Sequence, residues 1–111
     1  MSEQCNHFTC PMEATISLIG GKYKALILWH LMEHTLRYSE LHKKMPQATD
    51  KMLTQQLREL EKNGLISRTV YPVVPPKTEY ALTEFGKSLA PILDAMCNWG
   101  ENYLKTAQKE V

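Results

Sequence analysis

No run of apolar residues in this chain approaches the length needed to cross a bilayer. The opening residues, Met1-Ser2-Glu3-Gln4-Cys5-Asn6-His7, carry neither the basic nor the apolar segment of a signal peptide. Both absences argue against a membrane or secreted protein, and the expectation is a cytoplasmic one. Cysteine is scarce and odd in number, three residues, which argues against a disulfide-stapled fold and for thiols kept reduced. Glycine and proline are few, five and six, and no linker, repeat or low-complexity tract divides the chain. No phosphate-binding glycine loop, zinc-protease pattern or nucleophile elbow is found. His30, His34 and His42 have no acid or nucleophile at a meaningful spacing, so neither an enzyme nor a bound cofactor is expected.

What is present is an ordinary globular mixture, 43% apolar and 23% charged over 111 residues, which fits one domain around a modest core. The net charge of +1 conceals an uneven distribution. Residues 20–77 hold ten Lys/Arg against five Asp/Glu, whereas the segments before and after are each −2. A localised basic surface suits a polyanion-binding module even when the whole chain is near neutral.

The order of elements gives that surface a shape. Pro11 follows Cys10 at a helix start, and Met12, Ile16 and Ile19 mark one face of a helix over residues 10–19, stopped by Gly20-Gly21. Lys22 to Glu33 reads as a buried helix around Leu26, Ile27, Trp29 and Leu31. Arg37-Tyr38 reads as an extended link, and Ser39 as the cap of a short helix from Glu40 to Lys44 that closes before Pro46. Thr49 caps a helix from Asp50 to Asn63, and Gly64 is its left-handed terminator. Leu53, Leu57 and Leu60 form its apolar stripe. At 100° per residue, the opposite side presents Lys51, Gln55, Arg58 and Lys62.

Two strands are expected next, Leu65 to Tyr71 and Lys77 to Leu82, separated by Pro72-Val73-Val74-Pro75-Pro76. Thr83 then caps a helix from Glu84 to about Lys105, which Pro91 should kink or split near Ala90. A helix-turn-helix over 39–63 followed by a hairpin over 65–82 describes a winged helix. The fold expected is therefore mainly α with a small β-hairpin, one domain over 1–111 with 1–9 as a flexible arm. Helices 10–19 and 84–107 are extra to that unit. The stripe Leu89, Ile92, Leu93, Met96, Trp99 and Tyr103 exceeds what so small a domain buries, so part of it, with the first helix, is assigned to a homodimer interface.

A helix of about 14 residues is roughly 20 Å long, and the major groove of B-DNA admits one. Gln55 matches adenine N6/N7, Arg58 matches guanine O6/N7, and Lys51 and Lys62 suit phosphates. Thr54, on the shoulder, is in reach of a phosphate or a thymine methyl. Ser39 joins the set, and Arg68 and Lys77 are the cations of a wing laid along the sugar-phosphate backbone. The expected partner is double-stranded DNA, bound by a homodimer whose recognition helices lie about 34 Å apart on a palindromic operator. The alternative from another class is a winged-helix interaction module that does not touch DNA. Such a module would expose apolar residues where Lys51, Gln55, Arg58 and Lys62 stand.

Cys10 lies at a helix N-terminus, where the dipole favours a thiolate able to attack a small electrophile or oxidant; the plainer reading is a capping residue. Cys5, His7 and Cys10 form a C-x-H-x2-C cluster that lacks a fourth zinc ligand nearby, and no metal is expected. Cys97, among apolar residues, reads as core.

These residues together resemble the HxlR-type family of winged-helix regulators. The match runs from Cys10-Pro11-Met12-Glu13 to Trp99-Gly100 through Ile19-Gly20-Gly21-Lys22, Lys51-Met52-Leu53-Thr54, Leu57-Arg58-Glu59-Leu60-Glu61, Gly64-Leu65, Val74-Pro75-Pro76, Glu79-Tyr80 and Leu82-Thr83. The resemblance implies a homodimeric transcription regulator, a repressor or activator of neighbouring genes. It also implies that the cysteine at position 10 acts, in some members, as a thiol sensor of electrophiles, quinones or oxidants. Three positions depart from the family pattern: Tyr23 stands for the usual Trp, and Ala48 and Asp50 replace a commoner Ile and a neutral residue. Asp50 puts a carboxylate where phosphates would come.

Overall fold

The computed structural model describes residues 10–109; the arm expected over 1–9, with Cys5 and His7, lies outside them. Six helices and three strands follow one another as α1 (Pro11–Ile19), α2 (Lys24–Leu31), β1 (Leu36–Arg37), α3 (Tyr38–Lys44), α4 (Asp50–Lys62), β2 (Ile66–Tyr71), β3 (Lys77–Leu82), α5 (Glu84–Lys87) and α6 (Ala90–Lys109). This is a winged helix-turn-helix. The strands form one antiparallel sheet in the order β1-β3-β2. Ile66 stands opposite Leu82 and Tyr71 opposite Lys77 across the hairpin.

The third strand was not expected. Leu36 pairs with Tyr80 and Arg37 with Glu79, so the segment read as a link completes the sheet. Two residues are too few to show an alternating pattern, and their partners lie more than forty positions away in the chain. Because Arg37 is extended, it becomes the residue that precedes α3, which starts at Tyr38 rather than after Ser39. The Glu40 carboxylate accepts a hydrogen bond from the Arg37 backbone N–H at 2.9 Å. Ser39 is thus the second residue of the helix and not its cap.

The core is built mainly from α2, α3, α4 and the base of the sheet. Ile27, Leu28, Leu41, Met45, Leu53, Leu57, Leu60 and Leu65 are all at most 1% exposed. Burying one such side chain contributes about 1.5–3 kcal/mol. α2 is not buried all round its circumference, however. Leu26 is exposed, and Lys24 is buried with its ammonium reaching Glu59 on α4 at 3.0 Å. Its methylene stem is covered while the charge finds a carboxylate at the edge of the core.

Two glycines fix how the wing joins α4. Gly64 has φ +78, the left-handed conformation that ends α4 without a Cβ penalty. Gly86 is needed for a different reason: a Cβ there would overlap the Leu65 carbonyl. The Thr83 hydroxyl binds the two turns together, donating to the Gly64 carbonyl at 2.6 Å and accepting from the Gly86 N–H at 3.0 Å.

Behind this knot the C-terminal helix divides, as the proline at 91 led us to expect. α5 ends at Lys87 and α6 begins at Ala90. Replacing Gly86 by alanine should push α5 off the sheet and cost about 1–3 kcal/mol. Urea unfolding of Gly86→Ala checks this, and a midpoint equal to that of the parent protein would contradict the close approach.

Candidate nucleic-acid interface

α4 is positioned from both ends. At its start, the Thr49 hydroxyl accepts from the Met52 N–H at 3.1 Å, which satisfies one of the helix's free donors. Asp50 follows. Its carboxylate accepts from the Tyr38 hydroxyl at 2.7 Å and lies 3.4 Å from His42 Nδ1. The other His42 nitrogen is 2.9 Å from the Ala48 carbonyl, to which it donates. Two side chains of α3 therefore hold the turn and the first residue of α4. The carboxylate that departed from the family pattern is turned toward these partners. Burial, and then the hydrogen bond to Asp50, raise the Tyr38 hydroxyl above its ordinary pKa, while a hydrogen bond with Thr54 lowers it.

The middle of α4 is anchored by its leucines, Leu53 and Leu60 at 0% and Leu57 at 1% exposed. With that side inward, Lys51, Gln55, Arg58 and Lys62 are all exposed on the other. Among the described residues Lys51, Arg58 and Lys62 form no ion pair, nor does Arg68 on the exposed side of β2. The helix is 13 residues, or about 20 Å, long.

The remaining candidates are placed less uniformly. Thr54 is half-buried and hydrogen-bonded with the Tyr38 hydroxyl, so it serves the contact between α3 and α4. Lys77 is also half-buried: its ammonium sits 3.3 Å from Glu79 and 5.1 Å from the centre of the Tyr71 ring. Its charge is partly neutralised inside the wing. Ser39 is exposed and faces a groove between α3 and the wing, where Arg37, Lys77 and the Val73–Pro76 tip also line the walls. Arg37 was missed from sequence. Its exposure and its place at that groove follow from the pairing of β1 with β3, which no local pattern announces.

On α6, Ile92, Met96, Trp99 and Tyr103 are 40%, 50%, 70% and 59% exposed. Met12 and Ile16 of α1 are exposed as well. Leu93 does not belong with them: at 3% exposure it packs into the core of its own chain, and Leu89 is half-buried against that core. Cys97 is not core but half-exposed, its thiol 3.8 Å from a Glu101 carboxylate oxygen. Cys10 is exposed just ahead of Pro11, and its side chain makes no capping hydrogen bond. No group of three or more His, Cys, Asp or Glu side chains is arranged to hold a metal among the described residues, and no helix there is long and apolar enough to cross a membrane.

The arrangement has close counterparts among known proteins. The HxlR-like helix-turn-helix family matches residues 18–108. The HTH-type transcriptional regulator YtcD of Bacillus subtilis is 55% identical over 97 residues, covering 87% of this chain and 77% of that protein. Its crystal structure superposes with a TM-score of 0.82, over 87% of this chain and 99% of the other, at 54% identity. An HTH-type transcriptional regulator of Methanothermobacter thermautotrophicus is 52% identical over 98 residues, 88% of this chain and 75% of its own. The redox regulator HypR in its reduced form superposes with a TM-score of 0.84 at 44% identity, over 90% of this chain and 99% of that one. The same regulator is similar in its oxidised form, with a TM-score of 0.81 at 48% identity over 84% and 96%. This chain belongs to the HxlR-like helix-turn-helix family and is a transcriptional regulator of the helix-turn-helix type.

Proposed function

We propose that the chain binds a specific DNA sequence as a homodimer, with α4 in the major groove and the wing along the phosphate backbone. The observation that carries this reading is the outward side of α4: three cations with no ion-pair partner among the described residues, and an amide, with no apolar residue among them. Gln55 and Arg58 read bases through paired hydrogen bonds, and Lys51, Lys62 and Arg68 meet phosphates. Arg37 and Ser39 add contacts at the groove below the wing. Lys77 contributes less than its charge suggests, because Glu79 competes for it.

The dimer is built on Ile92, Met96, Trp99 and Tyr103 with Met12 and Ile16 of α1. So much exposed apolar surface on α1 and α6 of a small chain supports an association surface there. Two-fold symmetry then sets two α4 helices against a palindromic operator, about 34 Å apart. An interaction module that ignores DNA would gain nothing from a cationic α4.

Thiol chemistry at Cys10 supplies the control. Its sulfur is exposed at the start of α1, beside the proposed dimer surface. The Cys10 sulfur adds to a quinone to give a hydroquinone thioether, or is oxidised by hypochlorite to a sulfenic acid with release of chloride, and the modified side chain displaces α1 from its partner. That the relative HypR is a redox regulator supports this reading.

Two outcomes follow. Arg58→Ala should lose about 1–3 kcal/mol of preference for the operator over unrelated DNA, with fold and dimer intact. Affinity measured across a salt series gives both the preference and the number of phosphate contacts; an unchanged operator preference would remove Arg58 from the reading. For the thiol, Cys10→Ser should bind the operator as the parent does in reductant, yet stay bound when quinone or hypochlorite is added. Release of the serine variant by either reagent would take Cys10 out of the mechanism.

A further inference from the structure

A second cleft lies where the helix-turn-helix meets the C-terminal helix, away from the α4 surface. It measures about 350 Å3 and is walled by the end of α2, the turn after it, the end of α3 and the start of α6. Trp29 and Met32 give it an apolar wall, and His30 and Lys44 face it from α2 and α3. Asp94 of α6 stands at its other side, with Glu33 and His34 from the turn.

These polar groups are unused by the fold. Among the described residues, neither the His30 and His34 imidazoles, nor the Lys44 ammonium, nor the Glu33 and Asp94 carboxylates make a hydrogen bond or ion pair. Burial, and then the charge of Lys44, lower the pKa of His30 below its ordinary value. A few ionisable groups of both signs, exposed and not committed to partners in the fold, beside an apolar wall are a combination that small-molecule sites use to orient a ligand.

The dimer proposed above would leave this cleft open. At about 100° per residue along α6, Ile92, Met96, Trp99 and Tyr103 fall to one side of the core residue Leu93. Ala90 and Asp94 fall to the other, roughly half a turn from the apolar surface.

We infer that this cleft binds a small amphoteric effector of the amino-acid class, its acid group at Lys44 and His30, its amine at Asp94, and an apolar side chain against Trp29 and Met32. A metal ion is disfavoured, since no three donors converge among the described residues, and an anion alone would meet the like charge of Glu33 and Asp94 at the same cleft. At about 30 Å3 for each water-sized unit, the volume admits on the order of a dozen heavy atoms, the size of a large apolar or aromatic amino acid. A ligand held by both Lys44 and Asp94 ties α3 to α6, and so ties the helix that holds Asp50 to the helix that carries the dimer surface. It shifts operator affinity to the extent that it prefers one spacing of the two α4 helices over another. That regulatory consequence rests on the DNA-binding reading; occupancy of the cleft does not.

The test uses the whole protein without DNA. Thermal melting and calorimetric titration are run with the twenty common amino acids, and with 3-phenylpropionate and 2-phenylethylamine as probes carrying one charge each. At least one large apolar amino acid should bind saturably in the calorimeter and raise the melting temperature by about 5 °C at roughly tenfold excess over its Kd, the shift growing with the logarithm of its concentration. Each one-charge probe should bind at least about tenfold more weakly, and Lys44→Gln and Asp94→Asn should each weaken the amino acid by a similar factor while melting as the parent does without ligand. The inference is overturned if no amino acid binds, if a one-charge probe binds as tightly, or if both variants bind like the parent. Because DNA is absent throughout, these results stand apart from any failure of operator binding.

Discussion

Leu53, Leu57 and Leu60 on α4 are the contact on which everything else depends. Their withdrawal from solvent against α2 and the base of the sheet fixes which side of α4 faces out. With a rotation of the helix by half a turn, the lysines and Arg58 would be buried without partners, at a cost far above what any surface contact returns. The leucines therefore set the direction of the cationic side as well as stabilising the fold. The polar contacts refine this. Thr49 caps the helix, Asp50 is held by Tyr38 and His42, and Lys24 reaches Glu59 across the α2–α4 seam.

Much of this was legible in the sequence because its causes are local. The bounds of α4 follow from a cap, a 3.6-residue stripe and a left-handed glycine, all within sixteen residues. The strand from Lys77 to Leu82 and the break before Pro91 were equally plain, since proline and β-branched residues act on their own backbone. What escaped was non-local. β1 is a strand only because β3 lies beside it, and that pairing moved the start of α3 to Tyr38 and brought Arg37 to the wing groove.

The same distinction explains the candidate residues whose surroundings differ from what their types suggested. Periodicity placed Leu93 in the apolar stripe of α6 but could not say that it alone of the stripe's middle residues reaches the core. Thr54 and Lys77 looked available from their types, whereas Tyr38 and Glu79 engage them. Asp50 looked misplaced for a DNA-binding helix until its partners on α3 were visible. In each case the sequence names the chemical group, and only the tertiary neighbour decides whether the group is free.

The most direct measurement of the central claim is lysine acetylation read residue by residue, with and without a DNA fragment carrying the protein's own promoter. The account predicts strong protection of Lys51 and Lys62 on α4, and unchanged labelling of Lys87 and Lys105 on the C-terminal helices. Equal labelling of Lys51 and Lys62 in both states, with the DNA demonstrably bound, would contradict it.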